Sequence, residues 1–356
     1  MTTQTRAPLL WVALFVAALT LACASTAQVR QTNNADNASA ADYTVSGPYT
    51  HKNLSVFLIR TKDKTTDGKN FLTLREALEQ KKVVVYETKN VNELSIENVS
   101  GEEVFVQSGD IVKGGQQDRM LGVDLVVPAH SGRVAISAFC VEHGRWTRRG
   151  AEAAAQFTTS TDRAATKDLK LAAKRSKSQM EVWQKVEEAQ TKLSHNVGGA
   201  VNSAASPSSL QLSLENPKVQ ATADEYTKAL SSAPASDADV VGYAFAVNGE
   251  INSAEVYGSH ALFMKLWSGL LKSSAVEAVA ELQTDAKPAP VPADEVRAFL
   301  AESEKGDASR EDVGARVQLV TRESKSNIMF ETRSSSGSGG GAASPKMVHK
   351  SYIKKE

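Results

Sequence analysis

The chain reads as an α+β protein, a strand-rich single domain with a helical insertion and a hairpin-helix unit. Three observations predict this. Short β-branched runs separated by turn residues recur between residues 50 and 147. From Gly150 to Val197 the apolar spacing changes to three and four residues, the period of a helix. Farther on, Asn248-Gly249 separates two apolar runs, and a serine and a helical stripe follow.

Each element has a local cause. Leu54 to Arg60 alternates its side chains as a strand does. In Thr73-Leu74-Arg75-Glu76 the threonine hydroxyl can accept an early helix amide while Glu76 reaches back to the cap, which starts a short helix ending near Gln80. Val83 to Glu87, Leu94 to Val99, Val104 to Gln107, Leu125 to Val127 and Arg133 to Glu142 read as further strands, divided by turns such as Ser108-Gly109-Asp110.

The insertion, residues 151–235, carries Leu169, Met180, Trp183, Val186 and Leu193 on one helical side. Its other side carries Lys167, Lys170, Lys174, Arg175 and Lys177, a basic run read as a solvated face. Gly198-Gly199 ends the helix. Val240 to Val247 and Glu250 to Tyr257 form a hairpin, because Asn-Gly supplies the two positive φ values of a type I′ turn. Ser259 caps a helix whose Leu262, Phe263, Leu266, Trp267, Leu270 and Leu271 make a core-facing stripe. Another helix lies near Asp294 to Ser303, and Arg316 to Arg322 can pair with Ile328 to Thr332. Residues 334–345 form a Gly/Ser-rich loop, and residues 346–356 return as a terminal strand.

The amino terminus predicts export. Arg6 is followed by an uncharged apolar run from Leu9 to Ala22 and then by small residues, the layout of a secretory signal over residues 1–23. The run falls short of the roughly 20 residues that cross a bilayer as a helix. Leu19-Thr20-Leu21-Ala22-Cys23 resembles a bacterial lipobox, in which Cys23 is lipidated, with Thr20 where leucine is usual; cleavage after Ala24 or Ala27 is the competing chemistry. Residues 24–49, polar and rich in small side chains, suit a tether. The domain proper then spans residues 50–333. The chain has two cysteines, Cys23 and Cys140, so a lipidated or removed Cys23 leaves no internal disulfide. A formal charge of +0 gives no general attraction to nucleic acid or anionic lipid, which leaves the lipid anchor as the membrane contact.

Two stretches place polar residues where a strand protein would hold apolar ones: Gly114-Gly115-Gln116-Gln117-Asp118-Arg119 and Cys140-Val141-Glu142-His143-Gly144-Arg145-Trp146. Paired glycines admit close backbone approach, arginine forks onto phosphate or carboxylate, and an aromatic can stack on a base or sugar. Gly114, Gly115, Gln117, Arg119, Arg145 and Trp146 therefore suit a small anionic or nucleotide-like ligand. The alternatives are a bent connection with buried structural arginines, and a hydrolase on phosphoryl or ribosyl substrates with Glu142 or Asp118 as general base. Gly114-Gly115 fits neither a P-loop nor a dinucleotide fingerprint, and no cofactor motif is present. As a nucleophile Cys140 is poorly served, since a continuing strand turns His143 to the opposite face, and a buried hydrophobe is its default. The six histidines have no ligand spacing for a metal.

These two segments resemble the signature of the ARG and rhodanese-phosphatase-superfamily-associated protein domain, whose members carry a GG-x-Q-[DN]-R segment and a C-V-E-x-G-R-W segment. The similarity extends to Phe71 through Leu78, to the hairpin at Gly242 to Gly258 and to Val348-His349. It implies association with ADP-ribosylglycohydrolases and a role in processing or sensing ADP-ribose-type compounds. The export signal departs from that setting and favours a binding or envelope role.

Overall fold

In the computed structural model the chain divides into two compact units, Met1–Ala35 and Asp36–Glu356. Beyond Met1, the structure describes residues 39–62, 70–145, 157–164, 166–234, 237–283, 289–314, 316–335 and 345–355, all in the second unit. The signal region with Cys23, Trp146 and most of the Gly/Ser-rich loop lie outside the described residues. Among the described residues, no helix is long and apolar enough to cross a membrane.

The described strands, in chain order, are β1 (Tyr43–His51), β2 (Leu54–Thr61), β3 (Leu72–Thr73), β4 (Val83–Glu87), β5 (Glu93–Asn98), β6 (Val104–Val106), β7 (Asp110–Gly114), β8 (Arg119–Leu121) and β9 (Leu125–Val127). They continue with β10 (Arg133–Cys140), β11 (Phe157–Arg163), β12 (Val240–Val247), β13 (Glu250–Tyr257), β14 (Asp307–Val313), β15 (Val317–Glu323), β16 (Asn327–Ser334) and β17 (Lys346–Lys354). The helices are α1 (Leu74–Glu79), α2 (Lys167–Leu171), which runs into a π turn at Ala172–Ser176, α3 (Gln179–Asn196), α4 (Leu210–Leu214), α5 (Pro217–Leu230), α6 (His260–Ala280) and α7 (Ala293–Ser303).

Three sheets result. The largest is antiparallel, with strand order β1-β2-β12-β13-β17-β16-β15-β14. Both faces are buried at its centre, which follows from the run Leu54-Ser55-Val56-Phe57-Leu58-Ile59 in β2. Leu54, Val56 and Leu58 join Tyr243, Phe245 and the α6 stripe in the main core. Phe57 and Ile59 pack with Val296, Phe299 and Leu300 of α7 on the other side. A six-stranded sheet, β11-β7-β8-β10-β5-β4, and a small one, β3-β6-β9, close over the main core.

The α+β reading with its hairpin-helix unit matches this architecture. Asn248 and Gly249 take φ of 52° and 80°, and Val247 pairs with Glu250 across the turn. Ser259 caps α6 through its side chain, and Thr73 with Glu76 makes the capping box on α1.

Other boundaries need correction. Residues 43–49, expected in the tether, belong to the edge strand β1, which pairs along β2. The insertion is not wholly helical, since Phe157–Arg163 extends the six-stranded sheet beside β7. Its main helix is broken at Lys177, where φ is 48°, and restarts under the Ser178 cap. The strand expected to reach Glu142 stops at Cys140. The basic face is solvated at Arg175 and Lys177, which are exposed and pair with Glu323 and Glu311 at the surface, but not along its whole length: Lys170 lies 3.7 Å from Glu255, and Lys174 sits over the Phe330 ring.

Gly242 fixes how closely β12 and β13 approach. A Cβ there would stand 2.3 Å from the Glu255 carbonyl oxygen and 2.9 Å from the Val256 Cα, both backbone atoms that cannot swing away. Gly242→Ala is therefore expected to destabilise the fold by about 1–3 kcal/mol, the usual range for forcing extra volume into a packed core. Urea unfolding measures it, and an unchanged midpoint would contradict this packing.

Candidate functional site

The two polar motifs meet because β8 lies antiparallel to β10, which sets Arg119 opposite Cys140. β7 ends at Gly114, and the chain turns back through Gly115, whose φ is +58°. The space a side chain would fill at Gly115 is already taken: a Cβ would lie 2.5 Å from Cζ of Phe157 and 2.7 Å from Oε1 of Glu87. The glycine is thus required by protein packing at this point.

Arg119 is 1% exposed. Its Nη1 donates to Oε1 of Gln117 at 3.1 Å and reaches Sγ of Cys140 at 2.6 Å. Its Nη2 donates to Oε2 of Glu87 at 3.2 Å, and the other Glu87 oxygen accepts from the Gln116 amide at 3.1 Å. Burial raises the Cys140 thiol above its usual pKa and outweighs the pull of Arg119, so the sulfur is held away from the thiolate form. His143 does not serve it, for its ring packs edge-on against Trp183, with centroids 4.6 Å apart. Gln179 of α3 clasps the Cys140 backbone from both sides, accepting from its N–H and donating to its carbonyl at 2.9 Å each.

The second half of the cluster is carboxylate-rich. Asp118, fully buried, accepts from the Gly114 amide at 2.9 Å and from the Ser209 hydroxyl at 3.4 Å. Glu142, also fully buried, takes the Asp118 amide at 3.4 Å. Arg145 places Nη2 2.8 Å from Oε2 of Glu142 and 3.8 Å from Oδ1 of Asp118. The structure therefore brings Gly114, Gly115, Gln117, Asp118, Arg119, Glu142 and Arg145 together, and most of their charge is spent on one another. Among the described residues, Nε2 of Gln117 and Nε of Arg119 are donors buried here without a hydrogen-bond partner. Gln116, His143 and Gly144 form an exposed edge of the cluster.

A second constellation, drawn from segments far apart in the chain, has no contiguous motif. His349, on β17, is 1% exposed. Its Nδ1 lies 2.6 Å from Oδ2 of Asp124 and its Nε2 2.9 Å from Oε2 of Glu255. Asp124, in the connection before β9, also accepts from the Ser108 amide and the Thr332 hydroxyl, each at 2.8 Å. Tyr257 stacks on the imidazole at 4.6 Å and donates its hydroxyl to Gln107 at 3.0 Å. Burial opposes a charged imidazole, yet Asp124 and Glu255 outweigh it and raise the His349 pKa above its usual value. Burial likewise opposes the carboxylates, but Lys174 and His349 hold Asp124 far below the carboxylate range, and His349 with Lys170 brings Glu255 down to about 2. The sequence gives a weak cue at most, a histidine on a strand whose neighbours are core residues.

Two cavities lie elsewhere. A small one, about 40 Å³, sits among α1, β7, β11 and α6. A larger one, about 340 Å³, opens between α3, the β12–β13 hairpin and the end of α6. Neither is lined by residues of the two polar motifs, Gly114 to Arg119 and Cys140 to Arg145. Among the described residues, no cluster of His, Cys, Asp and Glu could hold a metal ion.

With this geometry in place, comparison with known proteins gives one match. The profile of the ARG and Rhodanese-Phosphatase-superfamily-associated Protein domain covers residues 42–353. No curated protein and no solved structure matches the chain.

The His349 junction makes a signed prediction. Its folded-state pKa is raised, so its contribution is complete below about pH 6.5, the unfolded value, and is lost as pH rises through the folded one. The depressed carboxylates contribute above about pH 4 and lose that contribution as pH falls through their folded values. His349→Gln should cost about 3–5 kcal/mol near pH 6, because it strands two buried carboxylates. That difference from wild type should begin to shrink above about pH 6.5. A cost that stays constant from acid to alkaline pH would contradict a charged His349.

Proposed function

The chain belongs to the ARG and Rhodanese-Phosphatase-superfamily-associated Protein domain family, and from that premise we propose that it is a non-catalytic binding protein of the cell envelope. It acts outside the membrane, anchored by a lipid on Cys23, and takes a small anionic or nucleotide-like ligand at the paired motifs. The observation that carries this reading is the pair of leftover donors, Nε2 of Gln117 and Nε of Arg119. Buried donors are nearly always satisfied, and an acceptor-rich group arriving past the exposed His143-Gly144 edge would satisfy both. A phosphate or ribose hydroxyl has that chemistry.

Hydrolysis fits these residues less well. A general base must be free to take a proton. Asp118 already holds the Gly114 amide and the Ser209 hydroxyl, and Glu142 lies against Arg145. Arg119 and Arg145 are likewise committed within the protein, so charge on a transition state would have to displace existing partners.

ADP-ribose is the first ligand to test, by thermal shift and calorimetry with product analysis on the same samples. Saturable binding without turnover, weakened at least about tenfold in Gln117→Leu, is the expected result, a loss of about 1.4 kcal/mol. Turnover that disappears in Glu142→Gln with the fold intact would overturn the binding reading in favour of a hydrolase. For the location, mass spectrometry of the mature protein should find a lipid-modified Cys23 at the amino terminus. A retained Leu9–Ala22 segment would overturn export.

A further inference from the structure

The 340 Å³ cavity lies apart from the motifs and is large enough for a small ligand. One of its walls carries an unusual pair. Glu277 of α6 is 2% exposed and Asn252 of β13 is 8% exposed, and both line the cavity. Oε1 of Glu277 is well supplied: the Lys167 amide donates to it at 2.8 Å and Nδ2 of Asn252 at 2.9 Å. That second bond sets the Asn252 amide, with Nδ2 on Glu277 and Oδ1 outside the bond. As a result Oε2 of Glu277 and Oδ1 of Asn252 are both buried and both lack a hydrogen-bond partner. They are acceptors without donors on two residues that a hydrogen bond holds side by side, the reverse of the motif cluster.

The charge of the lining agrees with that chemistry. Lys185 is 2.8 Å from Glu188 and Lys192 is 2.5 Å from Glu281, so these four neutralise one another. What remains is Lys167 against Asp168, Glu250 and Glu277, an acidic excess. A primary ammonium carries three donors and no acceptor, and it can meet a carboxylate oxygen and an amide oxygen together. An ion bound mainly by protein carboxylates would need more of them, and no such cluster is present among the described residues.

We propose that this cavity is a binding site for a small organic cation, whose primary ammonium group is held between Oε2 of Glu277 and Oδ1 of Asn252. Asp168 and Glu250 add the field that draws the cation in. Burial raises the Glu277 carboxyl above its usual pKa, and the charges of Lys170 and Lys167 offset only part of that effect. The site is independent of the anion-binding reading above, so either can fail without the other.

Putrescine is the probe, with butane-1,4-diol as its uncharged counterpart, titrated calorimetrically into the full chain at neutral pH. Putrescine is expected to bind saturably, the diol at least about tenfold more weakly, and Glu277→Gln is expected to lose at least about tenfold in putrescine affinity. Glu250→Gln, at an exposed position, covers the case in which the buried substitution prevents folding, and a loss of about threefold is expected there. No saturation with putrescine, equal binding of the diol, or unchanged affinity in whichever of these variants fold would overturn the proposal. In that event the two oxygens are simply hydrated.

Discussion

An imidazole gripped between two buried carboxylates holds this fold together. Glu255 and His349 belong to neighbouring strands of the large sheet, and Asp124 comes from the connection between β8 and β9. His349 therefore fastens the eight-stranded sheet to the layer that closes its core. Apolar packing supplies the bulk of the attraction between these layers, but it is tolerant of sliding. A charged junction with fixed donors and acceptors is not, and it selects one register. Lys170 and Lys174, which come from α2 and the π turn, bring the helical insertion to the same junction.

The paired motifs depend on that placement. With the layers set, β8 meets β10, and Arg119 falls between Glu87, Gln117 and Cys140. Gly115 yields its side-chain space to Phe157 and Glu87, so the turn can press against β11. The result is a polar core in which nearly every charge has an internal counterpart. Such networks cost more when half-satisfied than when absent, which is why the leftover donors on Gln117 and Arg119 carry functional weight.

Legibility in the sequence followed distance along the chain. The Asn248-Gly249 turn, the Thr73–Glu76 box and the α6 stripe are local signals, and each sits where the residues place it. Strands of three residues, such as β8, are too short to show a period, and β14 is exposed along its length, so alternation says nothing there. β1 was hidden by its polar composition: its edge position leaves most of its side chains in solvent. The two motifs were visible because each is contiguous. The His349 junction was not, since its members lie 225 and 94 residues apart and none has a spacing that announces the others. Glu87, the acid that holds Arg119, escaped for the same reason, being 32 residues away.

The junction itself can be observed directly. Nitrogen-15 NMR of the His349 ring distinguishes a doubly protonated imidazolium from either neutral tautomer, and His349→Gln assigns the signal. At pH 6.5, the ordinary midpoint for histidine, the expected result is a ring carrying protons on both Nδ1 and Nε2. A neutral ring at that pH would contradict a charge-pinned junction between the sheets.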